Sequence, residues 1–502
     1  MYTILIAALS ICCLLYYYLT RTFSYWQSKN VAGPKPLPLF GNLIDSTLRR
    51  KNIGVVFKEI YDQFPDEKVV GVYRMTTPCL LLRDLDVIKN VLIKDFDYFS
   101  DRGVSFSERG LGNNLFHSDT DRWRVLRNRF TPIFTSGKLK NMVYLMEQRA
   151  DKFTDFLQDL CAMRKEHEVH SLVQKYTLST ISACAFGLEI DISNEKMEFF
   201  KKLDNLIFSP TFIDELEMMY PGVLRKLNME ILPNWVTSFF EELVSNVIAQ
   251  RNGVATNRKD FMDLILELRQ QRRIHGTKRN DDDTQLTVEL TDDVIAAQAF
   301  VFYAAGYETS ASTMTFLLYE VAKNPEIQDK LIAEVDEVLK KHDGKVTFDT
   351  LNDLKYMEKV FDETLRMYPL VEPLQRNAQM DYKIPDTDVT IKKGQMVLIS
   401  GLGIQRDEKY YPEPEKFDPE RFSPENSAGR HTCAFLSFGS GPRNCIGMRF
   451  AKVQSRMCLL KFFSKFRVEP SSKTPPTMRF VARRFILAPK GGVHLSMIPR
   501  KI

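Results

Sequence analysis

Hydrophobic positions recur with a helical period over most of the chain. From residue 121 to about residue 270, apolar side chains return every three or four positions, which predicts helices almost throughout this part. The longest helix is predicted from Thr291 to about Lys323, with Thr291 as its N-cap and Pro325 just beyond its end. Its middle is apolar nearly all round, so the pattern indicates a buried central helix.

Two stretches depart from the helical period. Residues 66–84 cluster β-branched and apolar side chains around Pro78, which predicts a small hairpin. The polar, charge-dense stretch 272–285 predicts a mobile surface loop. Beyond the central helix, helical and short strand patterns alternate to about residue 410. The predicted fold class is therefore mostly α with minor β, in a single large domain.

The N-terminus predicts a membrane anchor. Residues 1–20 carry no charged side chain, and about 18 apolar residues at about 1.5 Å each span about 27 Å, enough for a bilayer core. A cleaved signal peptide is the alternative, but the basic n-region and small-residue cleavage site are missing. Arg21 and Lys29 follow, which by the positive-inside rule places the rest in the cytosol. A basic, proline-rich hinge is predicted over 21–42 and the large domain over 43–502.

Composition narrows the class of protein. A net charge of +5 is modest for 502 residues, and no basic run is interleaved with aromatic residues, which argues against nucleic acid as a partner. The chain is 44% hydrophobic and 26% charged, as expected of a globular protein with a large core. Its eight cysteines form no C-x-x-C pair, which argues against a disulfide scaffold or a zinc site and favours reduced thiols.

One cysteine stands in an unusual setting. Cys445 ends the glycine-rich loop "FGSGPRNCIG", which runs from Phe438 to Gly447 directly before an amphipathic helical pattern. At a helix N-terminus the backbone N–H groups and the macrodipole favour a thiolate. The setting predicts that this sulfur contacts a ligand.

The middle of the central helix holds a second unusual segment. Gly306, Glu308 and Thr309 interrupt its apolar face. A glycine costs about 1 kcal/mol against alanine in a helix interior, and a buried glutamate costs more unless it is paired or hydrated. One interpretation is a kink or close helix packing. The other is a groove beside a small ligand, in which a hydroxyl and a carboxyl supply protons.

Together these segments resemble the cytochrome P-450 haem-thiolate monooxygenases. The cysteine loop fits the family's F-x-x-G-x-R-x-C-x-G signature at every fixed position. The other matching motifs are "WRVLR" (123–127), "AGYETS" (305–310), "ETLR" (363–366) and "FDPERF" (417–422). They occur in the family's order along essentially the whole chain. The segment "FSDRG" (99–103) is most similar to insect microsomal members that metabolise xenobiotics.

The resemblance implies a cofactor and a set of residues that hold it. The cofactor would be haem b (iron protoporphyrin IX), with Cys445 as the metal ligand. The other cofactor-binding candidates are Trp123, Arg127, Arg376, Arg443, Phe438, Gly439 and Gly447, of which the arginines would meet the propionates. Thr309 would steady bound oxygen and Glu308 would help to relay protons, so these two are the catalytic candidates.

Three further expectations follow from the resemblance. Glu363, Arg366 and Arg421 would form a buried structural network. Many relatives have a proline before the loop phenylalanine where this chain has Ser437, so this chain departs from the family's pattern at the entry of the loop. The candidate pocket residues are Phe106, Leu111, Phe116, Phe208, Phe212, Phe300, Phe302, Leu370, Val371 and Phe485.

The implied function is that of a monooxygenase in the endoplasmic reticulum membrane, with its catalytic domain on the cytoplasmic face. It would insert one atom of O₂ into a lipophilic molecule, either a xenobiotic such as a plant toxin or an insecticide, or an endogenous hormone or lipid. Electrons would come from NADPH through the flavoprotein NADPH–cytochrome P-450 reductase, with cytochrome b5 as a second candidate donor. The reductase would dock on the cysteine side, at a basic face that includes Arg443, Arg449 and Lys452.

Other functions stay open. One is a haem-thiolate isomerase or dehydratase, although an intact Glu308-Thr309 pair argues against an enzyme that does not activate oxygen. Another is a non-enzymatic membrane protein that binds haem or a lipophile. A cysteine hydrolase is disfavoured because the sequence places no histidine to serve Cys445. Turnover with reductase and NADPH separates the first two from a monooxygenase.

Overall fold

Helices make up most of the structure and strands a small part, as the sequence predicts. The structure is a computed structural model that describes residues 1–104, 110–190, 197–209, 211, 217, 222–227, 229–230, 232–270, 273–278 and 281–501. Its α-helices are α1 Tyr2–Thr20, α2 Ile44–Thr47, α3 Ile53–Gln63, α4 Leu85–Lys89, α5 Thr120–Phe130, α6 Ser136–Lys140, α7 Val143–Met163, α8 Val169–Phe186, α9 Met197–Phe208, α10 Val223–Leu227, α11 Asn234–Gln250, α12 Phe261–Arg269, α13 Asp292–Lys323, α14 Pro325–Lys341, α15 Phe348–Asp353, α16 Lys355–Met367, α17 Gly401–Ile404, α18 Pro424–Ser427 and α19 Met448–Lys465.

The strands form small sheets at the edges of the helical body. They are β1 Val69–Arg74, β2 Thr77–Leu82, β3 Glu166–Glu168, β4 Arg273–Lys278, β5 Asp281–Glu289, β6 Leu374–Asn377, β7 Tyr382–Lys383, β8 Thr390–Ile391, β9 Met396–Ile399, β10 Phe466–Pro470 and β11 His494–Pro499. The largest sheet has the order β1-β2-β9-β6, and a second has the order β10-β11-β3. The remaining strands pair as β4-β5 and β7-β8.

The hairpin predicted over residues 66–84 is confirmed. Strands β1 and β2 pair antiparallel, with Arg74 opposite Thr77 at the turn. All of β1 is buried, because this hairpin packs into a hydrophobic core of its own beside the larger helical core. The alternating and clustered apolar residues therefore predicted the hairpin, and the structure adds that its first strand is buried.

The prediction of a mobile loop over residues 272–285 was wrong. Strands β4 and β5 pair antiparallel there, and Ile274 lies opposite Val288 with both side chains buried. Gly276 faces α5 so closely that a Cβ at this position would lie 2.6 Å from Cγ2 of Val125. The high density of charges concealed the few apolar positions that hold this hairpin on α5.

The predicted central helix is confirmed as α13. The Thr291 side chain accepts a hydrogen bond from Val294 N at 3.3 Å, which caps the helix as predicted. Most of its residues are buried, and it packs along α8. Gly306 allows this close approach, since a Cβ there would lie 2.9 Å from Cδ1 of Ile181. Close helix packing thus accounts for the glycine.

The segment that follows α1 packs against the largest sheet. Helix α1 has no buried residue, and among the described residues it is the one helix long and apolar enough to cross a membrane. The indole of Trp26 is buried and donates a hydrogen bond to Val72 O at 3.2 Å. A Cβ on Gly71 would overlap this indole. Residues 21–42, predicted as a hinge, therefore include side chains that belong to the folded domain.

Candidate functional site

The loop before Cys445 has a backbone that requires glycine. Gly439 and Gly441 have φ values of +70° and +73°, which side chains rarely adopt. A Cβ on Gly441 would also overlap the carbonyl oxygen of Leu92. The loop closes through a hydrogen bond from Cys445 N to Phe438 O at 2.8 Å. These constraints fix the position of the cysteine.

Cys445 faces an internal space. Its side chain is exposed although protein surrounds it, and a Cβ on the neighbouring Gly447 would meet nothing within 4 Å. Burial raises the pKa of the Cys445 thiol, whereas a hydrogen bond from Gly447 N–H and the charges of Arg127 and Arg102 lower it, and the net shift is upward. A metal cation on the sulfur would favour the thiolate further.

Arg443 of this loop and Arg127 of α5 lie close to Cys445 on the side of α5. The guanidinium of Arg443 is buried, stacks over the ring of Trp123 at 4.4 Å, and donates one hydrogen bond to Ser118 O at 3.2 Å. Arg127 donates to the backbone oxygen of Asn444 at 3.0 Å and to its Oδ1 at 2.7 Å. Trp123, Arg127 and Arg443 are thus brought together next to Cys445.

Two more arginines complete the cluster. Arg102 donates to Arg443 O at 3.2 Å, and Arg376 is buried and donates to Gln375 O at 2.8 Å. Burial lowers the pKa of Arg443 to about 9 and that of Arg376 to about 10. The pKa of Arg102 is also lowered, by burial and then by the charges of the other three arginines.

The cluster fits an anionic ligand. Nε and Nη1 of Arg443 and Nε of Arg376 are buried and have no hydrogen-bond partner within the described part of the chain. Buried donors of this kind are costly unless a ligand accepts their hydrogen bonds. A haem carries an iron for the cysteine sulfur and two propionates for the arginines, so these residues fit the cofactor that the resemblance implies.

Thr309 lies at an exposed edge of the central helix. Ala305 is exposed and Thr309 half-buried, although most of the residues around them in α13 are buried. The Thr309 hydroxyl donates to Ala305 O at 2.6 Å. The hydroxyl is therefore held by its own helix and faces open space.

Glu308 has different surroundings from Thr309. Its carboxylate is fully buried and accepts a hydrogen bond from Gln174 Nε2 at 2.6 Å. It also forms an ion pair with Arg484 at 3.2 Å, and one of its oxygens lies 3.3 Å from His170 Nε2. The sequence did not suggest these three partners, because they come from α8 and from the C-terminal part of the chain at no characteristic spacing.

The predicted network around Glu363 is confirmed. Arg366 forms two hydrogen bonds to the Glu363 carboxylate, Nε to Oε2 at 2.7 Å and Nη2 to Oε1 at 2.9 Å. Arg421 Nε lies 3.5 Å from Glu363 Oε1. Both groups of the Glu363–Arg366 pair are fully buried, so removal of either partner would leave an uncompensated buried charge.

The predicted pocket residues divide into two groups. Phe116, Val371 and Phe485 are exposed, which suits the wall of a cavity. Phe302 instead packs on Phe130 in the hydrophobic core. Phe300 also packs in the core, and Leu111, Phe208 and Leu370 are buried, while Phe106 and Phe212 lie outside the described residues.

The predicted docking face needs correction. Arg443 is buried, so it does not belong to an outer surface. Lys452 forms ion pairs with Glu358 at 3.1 Å and Asp362 at 3.0 Å, which neutralise its charge. Arg449 is exposed. This face therefore presents fewer unpaired positive charges than the sequence suggests.

Comparisons with known proteins agree with the motifs. The sequence profile of the family described as Cytochrome P450 matches residues 31–495. Cytochrome P450 6B6 of Helicoverpa armigera is 57% identical over 488 residues, which cover 97% of this chain and 96% of that protein. Cytochrome P450 6B1 of Papilio polyxenes is 56% identical over 487 residues, 97% of each chain. Cytochrome P450 6a8 of Drosophila melanogaster is 37% identical over 505 residues, 99% of each chain.

Proposed function

The chain belongs to the cytochrome P450 family, and on that basis we propose that it oxidises lipophilic small molecules with electrons that NADPH supplies through a flavoprotein reductase. As a member of the family it is an oxidoreductase, a haem-thiolate monooxygenase that uses haem b. The proposed substrates are xenobiotics such as plant toxins or insecticides, or endogenous hormones or lipids. The exposed aromatic and aliphatic side chains of Phe116, Val371 and Phe485 support an apolar substrate.

The observation that carries the proposal is the pairing of Cys445 with the arginine cluster. When bound, haem b supplies the oxygen and electron chemistry, with its iron on the Cys445 sulfur. The Gly447 N–H group donates to that sulfur, which limits how much charge it carries. Arg376, Arg443 and Arg127 would supply donors for the propionates, with Arg102 beside them.

Two residues of α13 are proposed to handle protons. Thr309 would hold a proton at its Oγ1, on the exposed edge of α13, and it would exchange its present bond to Ala305 O for one to water. Glu308 would supply protons from the buried side of the helix. Each is a proposal that rests on the family motif and on the position of these side chains in the structure.

The proposed location is the endoplasmic reticulum membrane, with the catalytic domain on the cytoplasmic face. The apolar helix α1 supports the anchor, and Arg21 and Lys29 directly after it support the orientation. The proposed partners on that face are the reductase and, as a second donor, cytochrome b5. Arg449 is the exposed cation of the predicted docking face that remains available to them.

The test is reconstitution of the full chain with reductase, NADPH and a panel of lipophilic compounds. We expect oxidised products that carry one atom from O₂ and consume NADPH. Cys445→Ala should abolish both these products and the thiolate-specific absorbance of the reduced carbon monoxide complex. Cys433→Ala, which changes a buried cysteine of the same region, should leave both intact. Products that form from peroxides without NADPH, and none with it, would contradict the proposal.

A further inference from the structure

A buried charged cluster lies where α8, α9, α13 and the C-terminal part of the chain meet. Arg484 Nη2 is 3.0 Å from each carboxylate oxygen of Asp204 and 3.2 Å from Glu308 Oε1. His170 Nε2 is 3.3 Å from the same Glu308 oxygen. Glu308 is fully buried and the other three side chains are nearly so, with His170 the most exposed of them at 14%.

Every element packed around the cluster contributes polar groups to it. From α8, Gln174 donates to Glu308. From α13, the Tyr307 hydroxyl donates to Asp204 Oδ1 at 2.7 Å, and burial keeps this tyrosine neutral by raising its pKa. Tyr303 is neutral for the same reason, and Ser312 Oγ lies 3.4 Å from Glu308. Gln174, Tyr307 and Ser312 contact the carboxylates, and neither these three groups nor Tyr303 carries a compensating positive charge.

Glu168, the remaining carboxylate near His170, has hydrogen-bond partners of its own outside the cluster. It caps α8, accepting hydrogen bonds from the backbone N–H groups of His170 at 3.0 Å and Ser171 at 2.8 Å. It also accepts one from Val493 N at 3.1 Å. Burial would raise the pKa of Glu168, but these hydrogen bonds and His170 outweigh it and lower the pKa. Its negative charge is therefore stabilised at the helix end.

With His170 neutral, the four central groups Asp204, Glu308, Arg484 and His170 together carry one net negative charge. The carboxylates of Asp204 and Glu308 outnumber the single guanidinium of Arg484, and a net charge is costly in a buried site. One additional proton makes the cluster neutral. Burial would lower the pKa of His170, but Glu308 and then Glu168 outweigh it and raise the pKa. Burial and the Glu308 charge also raise the pKa of Asp204, so both groups favour retention of the proton.

We propose that this cluster stores one exchangeable proton on His170 and that His170 delivers it through Glu308 to the Thr309 side of the central helix during turnover. This inference rests on the proposed function for its catalytic role, whereas the stored proton itself does not depend on it. In the transfer, the Nε2–H bond of His170 breaks and an O–H bond forms on Glu308 Oε1. That O–H bond breaks in turn when the Glu308 carboxyl passes the proton to water on the Thr309 side, which restores the carboxylate. His170 then takes a replacement proton from water at its exposed edge, and no electrons move.

Infrared difference spectroscopy tests the stored proton independently of turnover. His170→Gln places an amide near Glu308, and an amide cannot hold the proton. The proton should therefore move to a carboxylate of the cluster. The C=O band of one protonated carboxyl group should then appear in the spectrum of the variant minus wild type. Buried acids such as Glu372, whose pKa burial raises strongly, contribute equally to both and cancel. The double variant Asp204→Asn/His170→Gln should lack the new band.

His275→Gln is the matched control, because His275 is exposed on β4; it should give a flat difference spectrum. A flat spectrum for His170→Gln as well would overturn the stored proton. If His170→Gln does not fold, Asp204→Asn serves alone. It removes the excess negative charge and should shift the titration of His170 to lower pH, and an unchanged titration would overturn the inference.

Turnover tests the delivery step. Product formed per NADPH consumed should fall in the wild type as pH rises through the raised pKa of His170. His170→Gln should lose this pH dependence and couple several-fold less well at neutral pH, while the reduced carbon monoxide spectrum stays normal. An unchanged pH profile would refute delivery by His170. A wild type that forms no product with NADPH would refute the proposed function, and the infrared result would still decide the stored proton.

Discussion

The Ser437 hydroxyl donates a hydrogen bond to the backbone carbonyl of Leu365, with 2.7 Å between the oxygens. Gln405 joins the same arrangement, since its Nε2 lies 3.1 Å from Ser437 Oγ and its Oε1 accepts from Leu436 N at 2.7 Å. Ser437 thus ties the start of the cysteine loop to α16, the helix that carries Glu363. The loop entry is thus held by a side-chain hydrogen bond, which a proline at this position could not donate.

Replacement of Ser437 by alanine should destabilise the haem domain. The variant loses the bond to Leu365 O and leaves that buried carbonyl with fewer partners, at a cost of about 1–2 kcal/mol. Thermal unfolding followed by haem absorbance should show a lower Tm with the haem content unchanged. Ser472→Ala, at an exposed serine, is the control. Equal Tm values for the two variants would show that the loop does not depend on this bond.

Gly441→Ala should prevent the cysteine loop from forming its present structure. The added Cβ would overlap Leu92 O, and the backbone at φ +73° disfavours any side chain. The measurement is haem content per protein chain, together with the thiolate band of the reduced carbon monoxide complex. Both should be largely lost. Gly137→Ala, where a Cβ meets nothing within 4 Å, should keep both, and full haem loading of Gly441→Ala would contradict this account.

Arg443→Leu should weaken haem retention. Two of its buried guanidinium nitrogens have no partner among the residues that the structure describes, and a hydrogen bond to a charged group contributes about 1.5–3 kcal/mol. Transfer of haem to an excess of a haem-scavenging protein should therefore be about tenfold faster or more. Arg449→Leu removes an exposed arginine from the same region and should transfer haem at the wild-type rate. If both variants retain haem alike, Arg443 does not bind the propionates.

Thr309→Ala should uncouple NADPH oxidation from product formation. The hydroxyl at the exposed edge of α13 is proposed to position protons, and such groups typically contribute about 10²–10⁴-fold, of which ordered water can replace part. Product per NADPH should fall and peroxide should rise, with the haem spectrum and substrate binding unchanged. Thr313→Ala is a close match, because Thr313 makes the same kind of bond one turn later, to Thr309 O at 2.8 Å, but is buried. Tight coupling in Thr309→Ala would make Thr309 an ordinary helix residue.

The sequence predicted those features whose signals are local. Thr291 and Pro325 mark the ends of α13, and the glycines around Cys445 mark a special backbone, because caps and positive φ values depend on neighbouring residues. The β4-β5 hairpin was not predicted from the sequence. Its few apolar positions are far apart along the chain, and only the pairing of Ile274 with Val288 shows that they belong together. Pairing across a turn is not visible in a one-dimensional pattern dominated by charge.

The surroundings of Glu308 could not be predicted for a related reason. Gln174 lies 134 residues before it and Arg484 lies 176 residues after it, and no spacing rule connects such positions. The burial of Arg443 was likewise invisible, because an arginine in a glycine-rich loop is as readily exposed as buried. In both cases the fold, rather than the local sequence, decides which charges meet.

The docking of Trp26 limits how far the catalytic domain can move from the end of α1. Only residues 21–25 lie between Thr20 and this buried indole, and that length of chain reaches about 18 Å when fully extended. With α1 across a bilayer, the domain stays against the lipid surface. A domain held there would meet fat-soluble compounds at the concentration they reach in the lipid phase, which for such molecules far exceeds their concentration in the surrounding water.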